Sequence, residues 1–126
     1  MKKILIAEDD FYILDIYKST FLSAGYEVDT AENGEIALQK LKENTYDVLL
    51  LDIMLPKISG TEIIHWCRSD NSPAKKLLIY AITNLDEDVF VKKIIAAGAN
   101  GYFIKTDMTP DTLLKEIDAA LRIQKQ

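Results

Sequence analysis

The stretch Asp47-Val48-Leu49-Leu50-Leu51-Asp52-Ile53-Met54-Leu55-Pro56-Lys57-Ile58-Ser59-Gly60 limits the folds open to this chain more than any other. Val48 to Leu51 show no polar alternation, so a strand built from them is apolar on both faces. Such strands lie inside parallel sheets that helices cover on both sides. The run ends on Asp52, with Ile53 beyond it, a setting in which an unpaired carboxylate is costly. An acid at the carboxyl end of a parallel strand faces the crevice where open α/β sheets bind their ligands. Asp52 is therefore a candidate for chemistry rather than for solubility.

The rest of the chain supplies the partners such a sheet needs. Lys3 to Ala7 reads as a first strand, ending in Glu8-Asp9-Asp10. Phe11 to Ala24 carries Ile13, Ile16, Tyr17, Thr20, Phe21 and Ala24 at helical spacing, and Gly25 stops it. Glu27 to Ala31 alternates like an edge strand, and Asn33 is placed to cap a helix reaching Lys42, with Ile36, Ala37, Leu38 and Leu41 inward. Asp47 to Asp52 is the third strand, and Ser59 with Glu62 three positions on forms a capping box for a helix to Ser69. Leu77 to Ile82 is a fourth strand ended by Thr83 and Asn84. A helix from Asp86 to Ala97 follows, with acids in its first turn and Gly98 where a left-handed cap belongs. Gly101 to Ile104 is the fifth strand, and Thr109-Pro110-Asp111 opens a last helix to about Ile123.

Five strand-then-helix repeats predict right-handed crossovers and a doubly wound parallel sheet, with strand order 2-1-3-4-5 placing the apolar strands inside. Residues 1–126 are expected to form one domain, since 126 residues suffice for a core and there are no repeats. No apolar run approaches the ~20 residues a membrane helix needs, and the start lacks a secretory pattern. The single Cys67 forbids an internal disulfide and fits a reducing cytoplasm. A net charge of −5 argues against this domain gripping nucleic acid unaided.

The proposed topology brings Glu8-Asp9, Asp52, Thr83 and Lys105 onto one rim. Several close carboxylates need a cation or raised pKa values, and oxygen ligands in this number suit Mg²⁺. One hydroxyl and one ammonium complete a pocket for a dianionic tetrahedral group. Each residue has a plainer reading in isolation: loop acids, a strand-end hydroxyl at Thr83, a surface lysine at Lys105, a half-buried core ring at Tyr102. His65 reads as solvent-facing and Cys67 as core. The joint placement of Glu8, Asp9, Asp52, Thr83 and Lys105 favours the functional reading of those residues.

Four stretches together resemble the receiver domain of two-component response regulators. They are Ile4-Leu5-Ile6-Ala7-Glu8-Asp9-Asp10, Asp52 to Gly60, Thr83, and Gly98-Ala99-Asn100-Gly101-Tyr102-Phe103-Ile104-Lys105. The resemblance implies Mg²⁺ held by Glu8, Asp9, Asp52 and the Met54 backbone carbonyl, with Asp52 as phosphoacceptor. It assigns Thr83 and Lys105 to the phosphoryl group, and Thr83 and Tyr102 to a switch acting on the fourth-helix, fifth-strand and fifth-helix face. The implied partners are a sensor histidine kinase or phosphotransfer protein, with a homodimer through the fourth-helix to fifth-helix face compatible with the pattern. No nucleic acid or membrane contact by this domain is implied, and the location is cytoplasmic.

Two positions depart from the family pattern. Thr106 stands where a proline usually follows the lysine, which leaves the Lys105–Thr106 peptide open between cis and trans. Asn84 stands where a small residue is usual, and slower phosphoryl exchange than in an Asn84→Ala variant is expected. The alternative function is an Mg-dependent aspartyl-phosphate phosphatase of the haloacid-dehalogenase type. It needs a second Asp two positions after the nucleophile, where this chain has Met54. A flavodoxin-like binder is disfavoured because Glu8-Asp9-Asp10 would repel a cofactor phosphate. A switch rather than an enzyme is the reading, active at most on its own phosphorylation and dephosphorylation.

Overall fold

The computed structural model describes residues 1–84 and 88–124. Five strands and five helices alternate as β1 (Lys3–Ala7), α1 (Phe11–Ser23), β2 (Glu27–Ala31), α2 (Gly34–Glu43), β3 (Val48–Asp52), α3 (Gly60–Arg68), β4 (Leu78–Thr83), α4 (Asp88–Ala97), β5 (Gly101–Ile104) and α5 (Pro110–Gln124). The strands form one parallel sheet in the order β2-β1-β3-β4-β5, as the sequence predicts. Leu85, Asp86 and Glu87, on which the predicted start of the fourth helix falls, lie outside the described residues.

Alternation along the strands divides the apolar side chains into two layers. Leu5, Leu49, Leu51, Ile79 and Ala81 pack with Ala37, Leu41, Ile63, Ile64, Cys67 and Ile94 from α2, α3 and α4. Ile4, Ile6, Val48, Leu50 and Ile82 pack on the other face with Tyr17, Phe21, Leu113, Ile117 and Leu121 from α1 and α5. All five residues of β3 are buried, as its lack of alternation requires.

Local signals set most helix ends. Asp10 caps α1 by accepting from Tyr12 and Ile13, Asn33 caps α2 by accepting from Ile36, and Ser59 accepts from Glu62 at 3.3 Å. Thr109 Oγ1 accepts from Thr112 at the start of α5. Gly98 follows α4 at φ 119°, the left-handed conformation expected there. The face of α1 differs from expectation. Tyr17 and Phe21 are buried, with Ile13 and Leu14 half-buried, whereas Ile16 is half exposed and Ala24 is exposed. Two large rings on adjacent turns fill the space over β1, so the helix turns Ile16 outward. Ile36 and Leu38 are likewise half-buried rather than fully inward. His65 is exposed and Cys67 is wholly buried.

Candidate functional site

Parallel pairing sets Ala7 beside Leu51, and Asp52 beside Ile82, so β1, β3 and β4 end along one rim. Glu8 and Asp9 continue from β1, Asp52 is the last residue of β3, Thr83 the last of β4, and Lys105 follows β5. The Glu8 N–H donates to the Ala31 carbonyl at 3.0 Å, and its Oε1 accepts the Asp10 N–H at 3.1 Å. These bonds fix Glu8 while Asp9 stays exposed. Glu8, Asp52 and Thr83 are only 1%, 3% and 1% exposed.

One carboxylate oxygen from each of Glu8, Asp9 and Asp52 falls within 4.8 Å of the other two. The Lys105 ammonium lies 2.8 Å from Glu8 Oε2 and 3.2 Å from Asp52 Oδ2. Asp52 Oδ1 accepts the Met54 N–H at 3.1 Å, so the chain beyond β3 bends back over its own terminal carboxylate. Burial pushes the Glu8 carboxyl up to about 7; Lys105 opposes this and the Asp52 charge reinforces it. Burial also works against the Lys105 ammonium, but Glu8 and Asp52 outweigh it and its pKa is raised. Beneath them, burial and then the Glu8 charge push the Tyr17 phenol up to about 12.

Glu8 Oε2 is buried without a well-aligned hydrogen-bond donor among the described residues. The Lys105 ammonium at 2.8 Å pairs with it by charge. Three carboxylates, two of them buried, each with an oxygen within 4.8 Å of the others, are the donor set of a hard divalent cation. The residues present therefore fit Mg²⁺.

The structure thus brings together Glu8, Asp9, Asp52 and Lys105, and it places Thr83 at the adjoining strand end. Tyr102 pairs with Ala81, two residues before Thr83, so Tyr102 and Thr83 share the sheet face that α3 and α4 cover. Its ring is 39% exposed. Two positions after Asp52 stands Met54 rather than an acid, with its side chain exposed. All peptides among the described residues are trans, including Lys105–Thr106, and Lys105–Asp107 forms one 3₁₀ turn. Without a proline ring the trans form is favoured by about 3 kcal/mol. The Lys105–Glu8 ion pair was not anticipated; the signal lay in position 8 being Glu, whose longer side chain reaches across to β5.

The receiver-domain family model for response regulators matches residues 4–118. The chain belongs to the response regulator receiver family. Over 120 residues it is 35% identical to the regulatory protein VanRB of Enterococcus faecalis, covering 95% of this chain and 52% of that protein. It is 36% identical over 119 residues to a cyclic di-GMP phosphodiesterase of Thermotoga maritima, covering 94% of this chain and 31% of that protein. The receiver domain thus spans about half or less of the length of these curated relatives. Its fold matches the chemotaxis response regulator CheY4 of Vibrio cholerae with a TM-score of 0.86 and 31% identity, over 94% of this chain and 98% of that one. No helix among the described residues is long and apolar enough to cross a membrane.

Proposed function

We propose that this receiver domain, as a single unit over residues 1–126, takes a phosphoryl group on Asp52 from a sensor histidine kinase or phosphotransfer protein. The observation that carries the reading is the convergence of the Glu8, Asp9 and Asp52 oxygens within 4.8 Å, with Lys105 between Glu8 and Asp52. Those three carboxylates and the Met54 backbone carbonyl would hold Mg²⁺. An ion bound there would supply positive charge against that of the carboxylate and the incoming phosphoryl group.

The Asp52 carboxylate needs no general base, because carboxylates are ionised at neutral pH. One of its oxygens attacks phosphorus as the bond to the donor breaks, giving an acyl phosphate and the free donor group. The Met54 N–H, already on Asp52 Oδ1, orients the carboxylate for this attack. Lys105 pairs with a phosphoryl oxygen, and the Thr83 hydroxyl donates to another. Exposed Asn84 beside Thr83 narrows the approach and slows exchange.

Movement of Thr83 toward the phosphoryl group vacates space on the face it shares with Tyr102. An inward turn of that ring changes the α4-β5-α5 surface, which is a population shift between two packings. A homodimer through the α4–α5 face fits this route. The domain is a cytoplasmic switch rather than an enzyme acting on external substrates, and it contacts neither nucleic acid nor membrane itself. The absence of an acid at Met54 disfavours the Mg-dependent phosphatase alternative.

The test is intact-mass measurement after incubation with acetyl phosphate and Mg²⁺. The unmutated chain is expected to gain one labile phosphoryl group, and Asp52→Asn none. A gain of equal size on Asp52→Asn would move the acceptor elsewhere and end this reading.

A further inference from the structure

Between β3 and α3 the backbone makes an unusual turn. Pro56 O accepts the Ile58 N–H at 2.9 Å, and Lys57 between them has φ 73°. A three-residue turn with its central residue at positive φ is the rarer and strained γ form, and lysine has no glycine-like freedom to adopt it. Something outside the turn must hold it. Pro56 O also accepts the Gly34 N–H at 3.0 Å, from the first residue of α2. That N–H is one of the donors a helix leaves unpaired at its start, and here it is spent on the loop. Position 34 has no room for a side chain: a Cβ there would lie 1.9 Å from the Ile58 carbonyl oxygen and 2.7 Å from its carbon. Both are backbone atoms, so no rotamer change relieves the clash. The nearby Lys57–Glu35 ion pair is 3.8 Å long and exposed, and contributes little.

The same loop carries the groups that set Asp52. Met54 N–H holds Asp52 Oδ1, Leu55 is buried in the core, and the Gly60 N–H closes the loop on the Ile53 carbonyl at 3.0 Å. Only Leu55 separates Met54 from Pro56. We propose that Gly34 is a positioning residue for the acid cluster: by seating Pro56 and Ile58 against the start of α2, it fixes the Met54 backbone over Asp52. The inference rests on the reading of Asp52 and Met54 as metal-holding groups. It adds a control point at the start of α2, outside the strand ends that carry Glu8, Asp9, Asp52, Thr83 and Lys105.

The experiment compares the unmutated chain with Gly34→Ala, Asn33→Ala and Gly34→Ala/Lys57→Gly. Amide NMR without metal follows the Met54 N–H, and calorimetric titration with Mg²⁺ follows affinity, both well below the unfolding temperature. Gly34→Ala is expected to shift the Met54 amide and weaken Mg²⁺ binding about tenfold, as loss of a supporting group does at metal sites. Adding Lys57→Gly, which frees the turn to reseat, is expected to restore part of both. Asn33→Ala removes the α2 cap without creating a clash, and is expected to move both readouts in the same direction by less. It keeps the idea testable if Gly34→Ala does not fold.

An unmoved Met54 amide with unchanged Mg²⁺ affinity in the folded variants, whatever their stability, would overturn the positioning role. Failure of the unmutated chain to bind Mg²⁺ would instead sink the proposed function. The metal-free Met54 signal would still report whether Gly34 governs the loop.

Discussion

The two ends of the sheet handle their acids in opposite ways. At the amino end, Asp118 of α5 accepts the Tyr26 hydroxyl and lies 3.4 Å from Lys2 and 3.6 Å from Arg122. One carboxylate has a hydroxyl donor and two cations, and the Tyr26 hydrogen bond leads the effects that hold its pKa below the ordinary value. On the edge strand, Asp29 has Lys40 at 2.7 Å and the Tyr46 hydroxyl at 2.7 Å. Burial opposes its charge, yet those partners prevail and its pKa is also lowered. At the carboxyl end, three carboxylates converge, Lys105 pairs with two of them, and Glu8 is driven up to about 7. Satisfied clusters join elements together. The rim holds more negative charge than its own cation can balance, which is the condition of a site awaiting a ligand.

Removing Lys105 should produce the largest effect. Loss of one partner from a buried ion pair costs roughly 3 kcal/mol or more, because the remaining charge is stranded. Lys105→Met is therefore expected to destabilise the metal-free protein by about that amount, and Mg²⁺ is expected to restore much of it. Urea unfolding with and without Mg²⁺ measures both. A variant whose stability responds to Mg²⁺ no more than the unmutated chain does would mean that the rim is not short of positive charge.

The second effect depends on pH. Folded Glu8 holds its proton to about 7, whereas its ordinary pKa is 4.5. Between those values the folded state binds more protons than the unfolded state, so its contribution to metal-free stability falls as pH rises through that window. Mg²⁺ needs the ionised carboxylate, so its binding is expected to release a proton below about 7, and its affinity to rise with pH and then level. Calorimetric titration in buffers of different ionisation enthalpy, at about pH 6 and about pH 8, reads the proton directly. Glu8→Gln is expected to remove the difference. Asp29 and Asp118 carry the opposite sign: their lowered pKa values stabilise the fold above the ordinary 3.8, and that contribution is lost as pH falls.

These contrasts also separate what could be read from the chain from what could not. Strand order followed from the unbroken apolar run of β3 and the strand–helix alternation. Asn33 and Ser59 marked helix starts because caps act within a few residues. The rim could be assembled because parallel strands bring their carboxyl ends together whatever the side chains do. The Tyr26–Asp118 bond could not be foreseen, since 92 residues separate its partners and no local pattern records it. Nor could Gly34: its importance lies in the space above its Cα, which belongs to Ile58. Lys57 argues against its own conformation, because local preference would place glycine there and tertiary contacts overrule it. The Lys105–Thr106 peptide stayed open because the local preference for trans competed with a family pattern built around proline.

The smallest effect tests the satisfied side of the contrast. Tyr26→Phe removes the hydroxyl donated to Asp118 but keeps the ring, which packs edge-on against Phe21 at 5.0 Å. Asp118 retains Lys2 and Arg122, and its side chain is 30% exposed, so water can replace the lost donor. The loss is expected to be about 1 kcal/mol, the ordinary net worth of a hydrogen bond whose acceptor stays solvated. It should be equal with and without Mg²⁺, because the two clusters lie at opposite ends of the strands, Lys2 before β1 and Glu8 after it. The urea measurement that reads Lys105→Met reads this variant too. A Mg²⁺-dependent loss at Tyr26 would mean that the two ends share their charge balance, and the division between a joining cluster and a waiting one would fall.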